Sequence, residues 1–151
     1  MKKLIVMTAA WLLCSMSLPV SAQFAKAEDA VKYRQSALFV MGQHFGRLAA
    51  MAQGKIPFDA KAAADNAAVV EAMSKLPWAA FGEGTDMAGN TKAKPEVWSD
   101  NAKFKEAADK MMAEVGKLNA AAKTGKLDDL KAAVTATGGT CKNCHDNFRN
   151  K

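Results

Sequence analysis

The strongest constraint on this 151-residue chain is a row of residues near its end. Leu127, Leu130, Val134, Thr137, Cys141, Cys144 and Phe148 are separated by three and four residues in strict alternation. Side chains three and four apart share one face of an α-helix, whereas a strand needs every second residue to match. The spacing therefore predicts a helix with one apolar seam, and a seam of that length has to be covered by other helices. Both cysteines lie on it, so their thiols point inward. His145 follows Cys141 by four residues, which sets its imidazole on the same side, one turn along. Three ligating groups are thus expected to converge on one interior space. Gly138 and Gly139 leave either room for a flat group against the backbone or a loose, kinked spot.

The rest of the chain supplies the covering helices. Alanine, lysine, methionine and leucine dominate, β-branched residues are sparse, and no alternating apolar run is long enough for a strand. From about Ala27 to Gln53, Val31, Leu38 and Phe45 fall seven apart, with Met41 and Leu48 interleaved. Glu28 and Asp29 suit its positive N-terminal end, and Gly54 stops it. Asp59 caps a second helix, with Ala62, Val69, Met73 and Leu76 as the expected buried face and Pro77 as its end. A third opens at Ser99 or Asp100, buries Phe104, Ala108, Met111, Val115, Leu118 and Ala122, and closes at Gly125. The fold class that follows is all-α, an antiparallel four-helix bundle. Between the second and third helices, "LPWAAFGEGTDMAGNTKAKPEVWSD" is long for a compact bundle. Its Trp78, Phe81 and Trp98 are expected either to bring flat apolar groups over the cysteine site or to plug the core.

The opening "MKKLIVMTAAWLLCSMSLPVSA" has the order of a secretory signal: two lysines, an apolar run from Leu4 to Leu13 too short to span a bilayer, and a small-residue end. Cleavage after Ala22 gives a signal peptide over 1–22 and one domain over 23–151, delivered across the inner membrane to the periplasm. A lipoprotein reading through Cys14 is disfavoured by the bulky Leu13. Loss of Lys2 and Lys3 reduces the 21 basic residues to 19 against 15 acids, a net charge of +4. Spread through the sequence, that excess makes no nucleic-acid footprint and gives only a weak preference for acidic partners.

"GGTCKNCHDNFR" then poses a choice of chemistry. A structural zinc needs four ligands, and adjacent Cys144 and His145 do not readily bind one tetrahedral ion. A redox dithiol sits at the start of a helix that follows a strand, which this chain lacks. A c-type haem meets every constraint: each thiol adds to one vinyl group across a helical turn, and the next residue offers an imidazole to iron.

The whole stretch after the signal resembles the cytochrome c′ family. The resemblance is carried by "AEDAVKYRQSAL", "LPWAAFG", "KPEVWSD" and the C-terminal "CKNCHDNFR". It implies a four-helix bundle, a homodimer, and one covalent haem c per chain, held by thioethers to Cys141 and Cys144 with His145 as the axial metal ligand. It further implies that Leu38 covers a vacant distal face, that Arg34 and Gln35 contact the haem edge and propionates, and that Arg149 lies near the proximal imidazole. The expected function is one-electron transfer and binding of NO or CO at a five-coordinate iron, with no enzymatic activity. The redox partner is unknown from sequence. A core role for Leu38 and a surface role for Arg149 remain open, as does a six-coordinate electron-transfer cytochrome with Met41 or His44 as sixth ligand.

Overall fold

The computed structural model describes residues 23–151; the expected signal segment 1–22 lies outside the described residues. Five helices follow one another: α1 (Ala27–Ala52), α2 (Ala60–Ser74), a short α3 (Glu96–Ser99), α4 (Asn101–Lys123) and α5 (Leu127–Phe148). A single 3-10 turn, Trp78–Ala80, interrupts the long connection. α1 packs on α2 and α5, and α4 packs on α2 and α5, so the four long helices close a ring around one core.

Local chemistry explains the boundaries. Glu28 and Asp29 occupy the first turn of α1, and Gly54 beyond its end takes φ +69°, a conformation that favours glycine. The Asp59 carboxylate accepts from the Ala62 backbone N–H at 2.7 Å and so caps α2. Gly125, at φ +69°, turns the chain between α4 and α5. Asp100 precedes α4, but its carboxylate meets Lys103 at 2.6 Å instead of capping the helix. The short α3, which the loop-like composition hid, starts directly after Pro95, whose fixed φ suits a helix entry.

The expected faces of α4 and α5 are the observed ones: Phe104, Ala108, Met111, Val115, Leu118 and Ala122 are buried, as are Leu130, Val134, Thr137 and Phe148. α2 differs. Its buried row is Ala63, Ala67, Val70 and Ser74, one residue on from the row expected, and Leu76 is exposed. Small residues let α2 approach both α1 and α4 closely, which leaves its larger Val69 and Met73 half-buried on the flank. α5 runs without interruption through Gly138 and Gly139; a side chain at Gly138 would lie 3.8 Å from the Phe45 ring.

Candidate haem site

Between α1 and α5 lies a cavity of about 190 Å³ lined by Leu38, Met41, Gly42, Phe45, Val70, Trp78, Met111, Val115, Thr137, Cys141, Cys144 and His145. The α5 seam delivers both sulfurs to it, half-buried, and His145, an exposed residue, joins them from the edge with part of its ring shielded. The three groups therefore share one space, as their spacing predicts, although the imidazole stands at the mouth instead of the interior. α1 supplies the opposite wall through Leu38, Met41 and Phe45.

The electrostatics suit thiols and an imidazole awaiting covalent and metal chemistry. Burial raises the Cys141 and Cys144 thiols above their ordinary pKa, so both are protonated near neutral pH. Burial, and then the charge of Arg149, lowers the pKa of His145. Its neutral form, which carries the lone pair a metal needs, is favoured. The polar groups on the wall are otherwise engaged. The Trp78 indole N–H donates to the Ser74 carbonyl at 2.7 Å, and the Thr137 hydroxyl donates to the Glu114 carbonyl at 3.4 Å.

These residues fit a c-type haem: two sulfurs one turn apart, an imidazole on the same side, and a hydrocarbon wall facing them. The cavity lies below the range of about 300–1,000 Å³ that encloses a whole small ligand. Cys141, Cys144 and His145 are the lining residues that would hold a haem there.

Arg34 and Gln35 are not on that wall. Arg34 is 2% exposed, and its guanidinium donates to the Ala80 carbonyl (2.8 Å), the Thr85 hydroxyl (2.9 Å), the Thr85 carbonyl (3.1 Å) and the Thr91 hydroxyl (2.7 Å). It lies 4.4 Å from the Phe81 ring centre and 5.6 Å from that of Trp98. Desolvation lowers its pKa, and no carboxylate among the described residues pairs with it. Gln35 is exposed and its amide reaches Asn90 at 3.4 Å. Both side chains hold the long connection against α1. Of the three loop aromatics, Trp78 reaches the cavity. Phe81 and Trp98 join Val97, Phe104, Ala107 and Phe148 in a second apolar cluster beside Cys144. His44 faces α2, with Nδ1 2.8 Å from Asn66 Oδ1, away from the cavity wall.

A helical bundle that turns a Cys-x-x-Cys-His segment onto an inner seam, against a hydrocarbon wall, defines a helical c-type haem protein. The family model for cytochrome c′ matches residues 29–149. The cytochrome c′ of Rubrivivax gelatinosus is 61% identical over 129 residues, 85% of this chain and 100% of the relative; that of Alcaligenes xylosoxydans is 50% identical over 85% and 99%. The crystal structure of the Rubrivivax protein superposes with a TM-score of 0.83 over the same 85% and 100%. A nitric oxide complex of a leucine-to-alanine variant from Alcaligenes xylosoxidans does so at 0.79, with 48% identity over 85% and 99%. The chain belongs to the cytochrome c′ family, and it is a haem protein.

Proposed function

We propose that the chain, exported and trimmed after Ala22, works in the periplasm as a haem protein that transfers one electron and binds NO or CO, rather than as an enzyme. One haem c is held through Cys141 and Cys144, with His145 as its axial ligand. A haem bound there would supply an iron able to take up one electron and to bind NO or CO.

The single observation that carries this reading is the chemistry of the wall opposite the cysteines. Leu38, Met41 and Phe45 bring no hydrogen-bond donor, and the Trp78 and Thr137 donors are spent on the Ser74 and Glu114 carbonyls. A polarised O₂ adduct needs a donor to gain stability, whereas neutral NO and CO need only space. Leu38 provides the hydrocarbon cover that such a ligand must displace. The nitric oxide complex of the Alcaligenes relative supports the same choice of ligand. A second reading, a six-coordinate electron carrier, is kept because the Met41 thioether also lines the cavity; the pairing of His44 with Asn66 gives no such support to that imidazole. Arg34 and Gln35 act on the haem through the loop they anchor.

Two chains are proposed to pair through α1 and α2. Phe39 is 66% exposed, with Val40 and Leu76 also exposed and Val69 and Met73 half-buried. Large apolar side chains left exposed on these two neighbouring helices and just beyond the end of α2 support such an interface.

Optical spectra of the purified protein, oxidised, reduced, and reduced under CO, test the function directly. A high-spin resting spectrum that shifts with CO is expected. A low-spin spectrum indifferent to CO would transfer the assignment to the Met41 reading.

A further inference from the structure

The charge excess that runs evenly through the sequence is gathered by the fold at one place. Residues 92–94 lie antiparallel to the end of α5: the Lys94 N–H donates to the Phe148 carbonyl at 2.9 Å, the Asn150 N–H donates to the Lys92 carbonyl at 2.8 Å, and Ala93 pairs with Arg149. Lys94 Nζ donates to the Asp146 carbonyl at 2.9 Å. Lys142 is ion-paired to the Asp146 carboxylate, and Lys151 lies within electrostatic reach of it.

Lys92, Lys94, Lys142, Arg149 and Lys151 therefore surround the end of α5 that carries His145, with Asp146 among them; Glu96, Asp100 and Glu106 lie with Lys103 and Lys110 on the flank beside Asn143, Asn147 and Phe148. No carboxylate among the described residues pairs with Lys92, Arg149 or Lys151. Of the 19 cations and 15 acids from Gln23 onward, rim and flank together leave twelve and eleven elsewhere, and one of those cations is the buried Arg34. The net surface charge of the molecule is concentrated here.

A helix C-terminus favours cations in its last turn, which accounts for residues near 149. It does not account for Lys92 and Lys94, which belong to the connection before α3 and are held there by a backbone bridge. Nor does the rim suit a lipid surface. Membrane-lying elements combine basic residues with exposed large apolar ones. Among the described residues the exposed large hydrophobics are Tyr33, Phe39 and Val40 of α1 and Ile56, Leu76 and Met87 of the two connections; none belongs to α5 or to the 92–94 segment. What the rim does border is the cavity edge occupied by the exposed His145, on which the charge of Arg149 acts.

We propose that this cationic rim is the docking face for an acidic electron-carrier protein, which exchanges one electron with the haem across the His145 side of the cavity. The inference rests on the haem assignment made above. Asp146 is neutralised by its pair with Lys142, so the attraction falls to Lys92, Lys94, Arg149 and Lys151.

The test uses the haem-loaded protein, a rim variant carrying Lys92→Glu and Lys151→Glu, and a control carrying Lys123→Glu and Lys126→Glu at the far turn between α4 and α5. Reduced plant-type ferredoxin, an acidic protein, gives up one electron and is oxidised while ferric haem becomes ferrous; no bond forms or breaks. At an ionic strength of about 10 mM the rim variant should be reduced about tenfold more slowly than the parent, the control should change less than about twofold, and the difference should vanish near about 0.5 M salt. Oxidation of the ferrous protein by the cationic tris(phenanthroline)cobalt(III), itself reduced to cobalt(II), should speed up in the rim variant. An unchanged ferredoxin rate, or both reactions slowing together, overturns the docking face. So does cosedimentation of the parent with phosphatidylglycerol vesicles that the rim variant loses while its ferredoxin rate stays normal. A preparation with no haem spectrum refutes the function proposed above instead, which keeps the two failures distinct.

Discussion

Replacing Arg34 by methionine removes the charge and keeps most of the volume, and its cost can be worked from the contacts. Two buried carbonyls, Ala80 and Thr85, lose their charged donor. Each orphaned buried acceptor costs about 1–3 kcal/mol. The hydroxyls of Thr85 and Thr91 lose less, because each can rotate to another partner; that of Thr85 already donates to the Gly82 carbonyl at 2.8 Å. Stacking over Phe81 adds about 1 kcal/mol. Against these stands the relief of burying a guanidinium without a counter-ion, which the lowered pKa of Arg34 reports in direction. The balance is a loss of about 3 kcal/mol. That moves a urea midpoint by about 1–3 M. Hydrogen exchange localises the effect, since the amides of Ala80, Phe81 and Thr85 are bonded within the segment Arg34 holds. Their exchange should accelerate about a hundredfold if opening of the loop absorbs the loss. Arg34→Lys, which keeps the charge and loses the fork, should fall between the two. A methionine variant within about 1 kcal/mol of the parent, with these amides still protected and only the reduction potential moved, would refute the argument. Arg34 would then act on the haem directly.

Met41→Leu should leave the resting spectrum unchanged, because Leu38 and not the thioether is proposed to face the iron; loss of a low-spin signature in this variant would assign Met41 as the sixth ligand. Phe39→Glu should shift sedimentation from dimer to monomer with no change in spectrum, and an unaltered sedimentation coefficient counts against the α1–α2 pairing. In chain prepared without haem, both thiols hold their protons more tightly than in the unfolded state, so stability is full at neutral pH and falls as pH rises past the ordinary thiol value of about 8.5. Urea melts between pH 7 and 10 check this, and a midpoint that rises over that range contradicts the burial of the two sulfurs.

How much of this was legible depended on whether burial followed size. On α4 and α5 it did: the large apolar residues sit three and four apart, and the faces they predict are the buried ones. On α2 it did not, because Val69, Met73 and Leu76 drew the eye to a row about 100° from the true one. Ala63 and Ala67 are buried at 0% exposure since their smallness is what lets three helices meet. Arg34 shows the converse. It stands three residues after Val31 and four before Leu38, on the apolar stripe of α1, and that register was the available sign that its side chain turns inward. What no periodicity could reveal is the destination. The carbonyls and hydroxyls that satisfy it lie 46 to 57 residues away. The same applies to the rim around His145, where Lys92 and Lys94 meet Arg149 and Lys151 only after the chain has folded. A single α-helix was enough to line up two sulfurs and an imidazole, so the haem site was readable. The partners of Arg34 and the grouping of cations around His145 depend on contacts between segments distant in sequence, and such contacts exist only in the tertiary structure.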